Sequence, residues 1–406
     1  MSAQAIGQRI AAYRRRRGLS QTALAGLVGK SESWLSQVER GIRSVDRLSV
    51  LLDLSKVLHV DVEALTGRPW RLAPNGSSLV AGLEGISQVL SRYAHVVGDV
   101  AAPTVSLPHL RAEVANLHAD YQAARYGSVI RRLPQLLASA DELYTAVNGS
   151  DRRETLLVYV SAYVAGAKLL TKLGSADMAA LAADRAAMTA GSTDSSVSQG
   201  MAIYQVVCAL LRADRTDEGE QLAVRMAERL TPRVRSDVPS LVSVTGALWL
   251  IAAVSAARRT DRGAAWERLD VAERLAGMLG RDANHAWTAF GPTNVAIHRV
   301  SVAAELGDPG EALAAATAVD LDALPEGLHS RRAQVQLDLA WAQAQRKRDA
   351  EATLHLLEAE RAAPEALRYN VIARETVREI LTRAKPGTTS ALQGVATRAG
   401  VLEYPR

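Results

Sequence analysis

The stretch LSQTALAGLVGKSESWLSQVERG, residues 19–41, predicts two short helices joined by a tight turn. Ser20 and Ser31 are suited to be N-caps, because a serine hydroxyl accepts a hydrogen bond from a free amide in the first turn of a helix. Gly29 lies between the helices, where a sharp turn needs a residue that takes positive φ at little cost. The expected inner face of the two helices is apolar and consists of Leu24, Leu27, Val28, Leu35 and Val38.

The outward face of the second helix carries mostly polar side chains, at Glu32, Ser33, Trp34, Ser36 and Gln37. A short exposed helix with such a face, held at a fixed angle to another helix, is what reading a DNA major groove requires. The stretch is therefore predicted to be a helix-turn-helix, and double-stranded DNA is the expected partner.

Residues 5–67 as a whole resemble a domain of the XRE family, the lambdoid-repressor type. The matching residues are Ile6, Arg9, Ile10, Arg14, residues 17–21, Leu24, Ala25, Gly29 and residues 34–41, with further helices over residues 48–60 and 61–65. Lys30 and Trp34 depart from the family pattern, which has a small or apolar residue at the first position and a small one at the second. The resemblance implies that Arg14 pairs with Glu39 and fastens the first helix to the recognition helix.

The start of the recognition helix is the end closest to base edges in this docking geometry, and it carries Ser31, Glu32 and Ser33. Glu32 can accept a hydrogen bond from cytosine N4, and Gln37 can pair with adenine. Trp34 can contact a thymine methyl group or a sugar. These residues are the predicted readers of the DNA sequence.

Phosphate contacts are expected from Lys30, Arg40 and Arg43, which flank the recognition helix. Gln21 begins the preceding helix, where its side chain can reach a phosphate or the groove edge. The complete candidate DNA-binding set is Gln21, Lys30, Ser31, Glu32, Ser33, Trp34, Ser36, Gln37, Arg40 and Arg43.

Positive charge is concentrated at the N-terminal end of the chain. Residues 1–72 contain 12 Lys and Arg against 6 acidic residues, a net charge of +6, whereas the remaining 36 basic and 37 acidic residues nearly cancel. A basic domain on a near-neutral body fits phosphate binding at one end. The four arginines at residues 14–17 have two interpretations, a solvated basic run or a run in which one or two side chains bind phosphates.

The composition favours an all-α protein. At 406 residues the chain is too long for one compact core. Aromatic residues are 4% of the total and Ala and Leu dominate a hydrophobic content of 48%, which suits many packed helices with small contact residues. The single cysteine, Cys208, excludes an internal disulfide framework. The N-terminus lacks the pattern of a signal peptide and no run of 18 apolar residues occurs, so we expect no membrane contact and a cytoplasmic, nucleoid-associated protein.

Four segments are expected: an XRE-type DNA-binding domain at residues 1–67, a linker at 68–78, a tetratricopeptide-like helical-repeat domain at 79–384, and a C-terminal cap or tail at 385–406. Residues 67–78 contain two prolines and two glycines without helical periodicity. Trp70 in this stretch is expected to pack as a latch against one of the domains.

The long third segment is predicted to be a helical solenoid, because short polar breaks recur along it. The steps between Asp177, Asp217, Asp261, Asp308 and Asp349 are 40, 44, 47 and 41 residues. A helix pair with its two turns fills that length, and such units bury their apolar faces by stacking. The breaks and the Ala-x-x-x-Ala spacing after them resemble tetratricopeptide-like repeats, with units longer than the usual 34 residues.

The domain order resembles that of large actinobacterial regulators, and also that of the peptide-sensing RRNPP regulators. The second group implies a short peptide in the concave groove of the array, and a dimer. Candidate ligand contacts are Tyr159 and Tyr163, which are spaced i, i+4, together with Trp287, Asn294 and His298, which are predicted to share one helix face. Each of these side chains can instead be a packed residue of the array.

The predicted function is that of a sequence-specific DNA-binding transcriptional regulator, a homodimer on a pseudo-palindromic operator, modulated by a peptide or small molecule in the array. In the alternative, the array is a scaffold for a protein partner and the N-terminal domain targets it to DNA. The sequence contains no H-E-x-x-H motif, no Cys–His cluster and no glycine-rich phosphate loop. We therefore expect no metal, no cofactor and no enzymatic activity.

Overall fold

Helices and turns make up the part of the chain that the computed structural model describes, which is residues 3–45, 48–60, 62–66, 76–93, 102–384 and 390–402. No strand occurs among these residues, so the all-α class predicted from composition is confirmed. Five N-terminal helices, which we call the head, precede a long array of helix pairs. The head consists of α1 (Ala3–Arg16), α2 (Gln21–Leu27), α3 (Glu32–Glu39), α4 (Leu48–Leu58) and α5 (Val62–Thr66).

The turn between α2 and α3 has the geometry expected from its sequence. The Ser20 hydroxyl accepts a hydrogen bond from the amide of Ala23 at 3.0 Å, and that of Ser31 accepts from the amide of Trp34 at 3.2 Å. Gly29 has a φ of 65°, in the left-handed region that favours glycine. The helix-turn-helix prediction is therefore confirmed in its local geometry.

Leu27 does not take the inner position predicted for it, because its side chain is 62% exposed. The head core takes Leu24, Ala25 and Val28 from this segment instead. At 100° per residue these three side chains span one face of the helix, and Leu27 points about 100° away from the middle of that face. A helix as short as α2 therefore buries one narrow stripe, and Leu27 lies outside it.

In its described residues, the array consists of six helix hairpins followed by a capping group. The first helices of the hairpins, which we call the inner helices, are α7 (Leu107–Gln122), α9 (Arg152–Lys172), α11 (Ser196–Arg212), α13 (Pro239–Arg258), α15 (Pro292–Glu305) and α17 (His329–Gln345). The second helices are α8 (Tyr126–Ala146), α10 (Ala176–Gly191), α12 (Thr216–Leu230), α14 (Arg262–Leu279), α16 (Pro309–Ala316) and α18 (Asp349–Ala362). The helix α6 (Gly76–Ser91) packs on the first hairpin, and α19 (Pro364–Tyr369), α20 (Val371–Arg383) and α21 (Ser390–Arg398) follow the last.

The six hairpins turn in the same way. Each turn places one residue in the left-handed region, at Ala124, Gly174, Asp214, Thr260, Gly307 and Lys347. The amide of the next residue donates to the carbonyl five residues earlier, as in Ser175 to Leu170 at 2.9 Å. This is the hydrogen bond of a Schellman motif, which satisfies carbonyls at the end of a helix. The predicted repeat is therefore a repeat of turn geometry, and the turn at residues 122–126 is a sixth member that the spacing of aspartates missed.

Successive inner helices contact one another, and the last of them, α17, also contacts the first, α7. The amide of Gly127 donates to Glu365 Oε2 at 2.7 Å, and the rings of Tyr126 and Tyr369 lie 6.0 Å apart. Ala333 and Ala363 belong to the same hydrophobic cluster as the first two hairpins. The predicted solenoid therefore closes on itself, so its inner helices surround a common interior.

The predicted linker lies mostly outside the described residues, as do Trp70 and residues 385–389. The helix α6 begins at Gly76, three residues before the predicted start of the repeat domain. The C-terminal segment, for which a cap or a tail is predicted, contains the helix α21. The domain boundaries remain predictions.

Among the described helices, α13 has the length and composition of a membrane span. Of its most apolar window, 83% is buried inside the protein. It packs against α11, α12, α14 and α15. This burial is that of a central helix of the array.

Candidate functional site

The outward face of α3 has the exposure that the sequence predicts for a DNA-reading helix. Its inner face buries Leu35 and Val38, which are 0% and 1% exposed, in the core of the head. The exposed candidates are Lys30, Ser31, Glu32, Ser33, Arg40 and Arg43, and the half-exposed ones are Gln21, Trp34, Ser36 and Gln37. Their exposure suits contact with DNA, and the contacts themselves stay a prediction.

Several of these candidates make contacts within the head. The hydroxyl of Thr22 donates to Glu32 Oε2 at 2.6 Å, so the carboxylate predicted to read cytosine is joined to α2. The ammonium of Lys30 lies 5.9 Å from the ring centroid of Trp34. Arg40 Nε donates to the carbonyl of Ser36 at 3.3 Å, within the last turn of α3. These contacts hold the polar face in one arrangement.

Glu39 connects the first three helices. It accepts from Arg14 Nε at 2.6 Å and from Arg14 Nη2 at 2.9 Å, which confirms the predicted pair. Gln21 Nε2 also donates to Glu39, at 2.7 Å. The side chain of Gln21 therefore ties α2 to α3, and its predicted phosphate contact would require this side chain to leave Glu39.

The arginines that follow Arg14 join the head to the array, which neither of the two sequence interpretations included. Arg15 donates to the carbonyl of Arg258 at 3.1 Å, and Arg16 pairs with Glu305 at 2.6 Å. Arg17 lies 3.5 Å from Glu379. Their partners lie hundreds of residues away in the chain, so no local pattern could reveal them.

We call the part of the array that these arginines contact the seat. It is formed by the C-terminal ends of inner helices α13, α15 and α17, by the turn after α11, and by α20. Arg9 pairs with Asp214 in that turn, and Trp341 Nε1 of α17 donates to the carbonyl of Arg16 at 3.2 Å. The C-terminal end of a helix carries partial negative charge, which attracts guanidinium groups. The helices of the array thus converge on the basic end of α1.

Two carboxyl groups in the seat have opposite pKa shifts. Burial alone would raise the pKa of Glu305, but the charges of Arg16 and Arg258 outweigh it and lower the value to about 2. Burial raises the pKa of Glu375 to about 8, although Arg16 and Arg17 oppose the shift. Neither oxygen of Glu375 has a hydrogen-bond partner among the described residues. Glu305 is therefore a charged member of the seat, and Glu375 is a neutral one at pH 7.

Tyr159 and Tyr163, predicted as ligand contacts, lie within the packing of α8, α9 and α10. They are 6% and 0% exposed, and their rings stack at 4.5 Å. The hydroxyl of Tyr163 donates to Asp141 at 2.6 Å and accepts from Arg185 at 3.1 Å. Both tyrosines are core residues, because the i, i+4 face of α9 that carries them turns toward its neighbours, and the ligand role proposed for them stays a prediction.

The other three ligand candidates do not share one helix face. Asn294 and His298 lie on α15, where they are 1% and 8% exposed, and His298 Nδ1 lies 2.8 Å from the carbonyl of Asn294. Trp287 lies before the helix, in a short 3-10 turn. Its ring stacks on that of His118 at 5.1 Å. The helical spacing assumed for Trp287 fails because α15 begins only at Pro292.

The segment of residues 280–291, which we call the interior loop, lies against α7 and α9. Gln122 and Asn284 exchange two hydrogen bonds, of 2.9 and 2.7 Å, and Lys168 Nζ donates to the carbonyl of Trp287 at 2.9 Å. Three non-glycine residues of this loop, Ala286, Trp287 and Ala289, have positive φ. Such backbone strain is maintained only where the surroundings hold the segment firmly.

Charged residues inside the array were missed by the sequence reading, above all Lys168, Lys172 and Arg331. They are partly buried residues of the inner helices α9 and α17. Their spacing along the chain carries no recognisable motif, because the closure of the array brings α17 back to the first hairpins.

A helix-turn-helix domain family matches residues 5–66 of the chain. The HTH-type transcriptional regulator RamB of Mycobacterium tuberculosis is 30% identical over 152 residues, which are 37% of this chain and 28% of RamB. The HTH-type transcriptional regulator SinR of Bacillus licheniformis is 31% identical over 106 residues, which are 26% of this chain and 86% of SinR. The chain therefore spans less than a third of RamB.

A solved structure, that of Bacillus thuringiensis PlcR in complex with the peptide PapR7 and DNA, is similar to this chain with a TM-score of 0.32 and 15% identity. The match covers 68% of this chain and 96% of PlcR.

Proposed function

The chain belongs to the HTH-type transcriptional regulators, and on that premise we propose that it binds a specific operator as a homodimer under the control of a ligand in its repeat array. DNA binding and transcriptional regulation are the properties of the family, and the operator, the dimer and the ligand are the parts that we add. A regulator of this kind acts where the chromosome is, in the cytoplasm, and needs no catalytic group.

The observation that carries the DNA-binding proposal is the exposed polar face of α3, presented by a helix whose other face is locked in the head core. Ser33 and Gln37 lie one turn apart on this face and are proposed to read bases. Lys30 and Arg43 lie at the two ends of the motif, exposed, and are proposed to bind phosphates on either side of the groove.

A dimer is proposed because one head presents a single recognition helix. A single module of this size buries too little surface for operator affinity, and two-fold pairing on a pseudo-palindrome is the usual solution for this docking geometry.

Control by a ligand is proposed because the head is fastened to the array at the seat. The ion pairs of Arg9 with Asp214 and of Arg16 with Glu305 orient the recognition helix relative to the array. A ligand that binds one arrangement of the inner helices better than another would then change the spacing of two heads in a dimer, which is a population shift between two states.

The proposed function is tested by selecting fragments of the source genome with the purified full-length protein, followed by footprinting of the enriched fragments. We expect a protected inverted repeat with half-sites about one helical turn, or a whole number of turns, apart. A full-length variant with Ser33→Ala and Gln37→Ala serves as the matched control and should lose the enrichment.

Protection of a single half-site would refute the dimer, and absence of enrichment at moderate salt would refute operator binding. Peptides and metabolite extracts are then added to the bound operator. If no addition changes the affinity and a stoichiometric protein partner is captured instead, the repeat array is a scaffold.

A further inference from the structure

Three cations from two inner helices gather inside the repeat array. Lys168 and Lys172 lie one turn apart on α9, and Arg331 lies in the first turn of α17. The positive charge of Arg331 contributes to the pKa values of both lysines, and also to those of Tyr121 of α7 and Tyr204 of α11. Because α17 packs against α7, a guanidinium close enough to affect groups on α7, α9 and α11 lies in the common interior of these helices. We call Lys168, Lys172 and Arg331 the interior cluster.

The direct contacts of the two lysines are with neutral groups. Lys168 Nζ donates to the carbonyl of Trp287 at 2.9 Å. Lys172 Nζ lies 5.8 Å from the ring centroid of Tyr126, whose ring is in turn 5.5 Å from that of Tyr121. A carbonyl and an aromatic face stabilise a cation without neutralising it.

The positive charge of the cluster is poorly balanced by its surroundings. Burial and the charge of Arg331 lower the pKa of Lys168 to about 7 and that of Lys172 to about 8. The charge of Arg212 lowers the pKa of Lys172 further. Asp338 opposes these effects on Lys172, and its contribution is the smallest of the four.

Such a grouping of like charges in the interior is costly for the folded protein, because each cation loses hydration and repels the others. Strongly perturbed groups that face a common interior are found at functional sites more often than elsewhere. The cost would be relieved by an anion bound among the three side chains.

Two buried polar atoms beside the interior loop also lack a hydrogen-bond partner among the described residues. They are Nδ1 of His118, whose residue is 0% exposed, and Oδ1 of Asn294, whose residue is 1% exposed. The other ring nitrogen of His118, Nε2, lies 3.2 Å from the carbonyl of Ser161 and is therefore the protonated one, which leaves Nδ1 as an acceptor. Buried acceptors without partners are expected where a ligand or water completes the site.

We propose that the interior cluster is a binding site for an anionic ligand, with a carboxylate or phosphate group held between Arg331 and the two lysines. The guanidinium offers a planar fork that matches two oxygens of such a group, and the lysines add point charges on the same side. The inference deepens the proposed function and rests on it in one respect, because it names the chemistry of the ligand that would control DNA binding.

Binding of an anion would act directly on the interior loop. The ammonium of Lys168 holds the carbonyl of Trp287, and an oxyanion competes for the same donor. Trp287 lies in the strained part of the loop, where its φ is 56°. A ligand that binds the ammonium of Lys168 therefore releases the interior loop, which the array holds in an unfavourable backbone conformation.

The same inner helices reach the head at their other ends. Arg331 lies in the first turn of α17, and ten residues later Trp341 donates to the carbonyl of Arg16. On α15, burial and the charge of Arg331 lower the pKa of His298, and Glu305 at the end of the same helix pairs with Arg16. Ten residues of helix span about 15 Å, so a shift of α17 or α15 at the cluster displaces a contact of the seat.

The site is tested by titrating the full-length protein with citrate or inorganic phosphate, at an ionic strength held constant with sodium chloride, and measuring the thermal unfolding midpoint. The wild-type midpoint is expected to rise and saturate. The interior variant, Lys172→Met with Arg331→Met, should bind at least tenfold more weakly. Lys172→Met alone should weaken binding less, and it keeps the test valid if the double variant does not fold.

The basic head also attracts anions, so the matched control removes two cations there, by Lys30→Met with Arg43→Met. This head variant should retain the saturable rise. The proposal is overturned if the wild type shows no saturable rise, or if the rise persists in the interior variant and disappears in the head variant. A response to citrate alone identifies a carboxylate site, and a response to phosphate alone identifies a phosphate site.

Operator binding by the same proteins separates this inference from the proposed function. An interior variant that binds the operator but no longer responds to the anion supports the site. A wild-type protein that responds to citrate and enriches no DNA contradicts the proposed function and leaves the anion site standing.

Discussion

The guanidinium of Arg16 and the carboxylate of Glu305 form an ion pair with 2.6 Å between Nη2 and Oε2, although 289 residues separate them in sequence. Both side chains are nearly buried, at 11% and 12% exposure. The pair joins the end of the first helix of the head to the end of an inner helix of the array. The orientation of the recognition helix therefore depends on the repeat array as well as on the head.

Breaking this pair should destabilise the protein strongly. Glu305→Gln leaves the guanidinium of Arg16 buried without its carboxylate, which costs about 3–5 kcal/mol. Arg16→Met leaves Glu305 only its longer pair with Arg258, at 3.4 Å, and should also destabilise the protein. The double variant should lose less than the sum, with a coupling of about 1–3 kcal/mol. The measurement is urea denaturation of the full chain, with the exposed pair of Arg235 and Asp237 as control, where the coupling should stay within about 1 kcal/mol. Strictly additive effects at Arg16 and Glu305 would show that the pair is not formed in solution.

Glu375 predicts a loss of stability toward alkaline pH. Its pKa is raised by burial to about 8 in the folded protein, from an ordinary value of 4.5. Between these two pKa values the folded state keeps a proton that the unfolded state has lost. The contribution of Glu375 to the free energy of unfolding is therefore complete below pH 4.5 and is lost as pH rises to about 8. Of the charged groups around it, Glu379 adds to the upward shift of the pKa, and Arg16, Arg17 and Arg378 oppose it.

Glu375→Gln removes this titration and should flatten the dependence of the unfolding midpoint on pH between pH 5 and about 8.5. The measurement is thermal unfolding of both proteins across that range. Equal slopes for the wild type and the variant would mean that Glu375 is ionised in the folded state.

The exposed cations of the head should determine the salt dependence of operator binding. Removing Lys30 or Arg43 deletes one proposed phosphate contact, which lowers the slope of log K against log salt concentration by about 1. Affinity should fall uniformly for specific and non-specific DNA. Arg215→Ala, on the exposed surface of the array, is the matched control and should leave the slope unchanged.

Gln37 should affect sequence preference and leave the salt slope as it is. If its amide pairs with adenine, Gln37→Ala costs about 1–3 kcal/mol at one base pair of the operator and relaxes specificity there. Binding competition with operators altered at single positions measures the effect. A uniform loss over all positions would assign Gln37 to the support of α3.

The local fold of the head could be predicted from sequence, because its determinants are neighbours in the chain. Caps at Ser20 and Ser31 and a left-handed residue at Gly29 are satisfied within a few residues, and the structure confirms each of them. The pair of Arg14 with Glu39 was implied by family resemblance and is confirmed. The exception is Leu27, which is exposed because only one narrow face of α2 packs against the head core.

The repeat of the array was visible as a spacing, because a helix pair has a nearly constant length. The turn itself was obscured in the sequence, since only two of its six left-handed positions are glycine. Hydrogen bonding and packing around each turn hold residues as different as Thr260 and Lys347 in the same conformation. A regular geometry is thus carried by an irregular sequence.

The sequence by itself determined the helical class, the helix-turn-helix and the approximate repeat, all of which follow from residues close together in the chain. Only the tertiary structure decided that Arg15, Arg16 and Arg17 join the array, that Tyr159 and Tyr163 are core residues, and that the inner helices surround a cationic interior. The physical reason is that closure of the array brings side chains together that lie up to several hundred residues apart. The charge, burial and partners of such side chains are set by their neighbours in space, which no local pattern records.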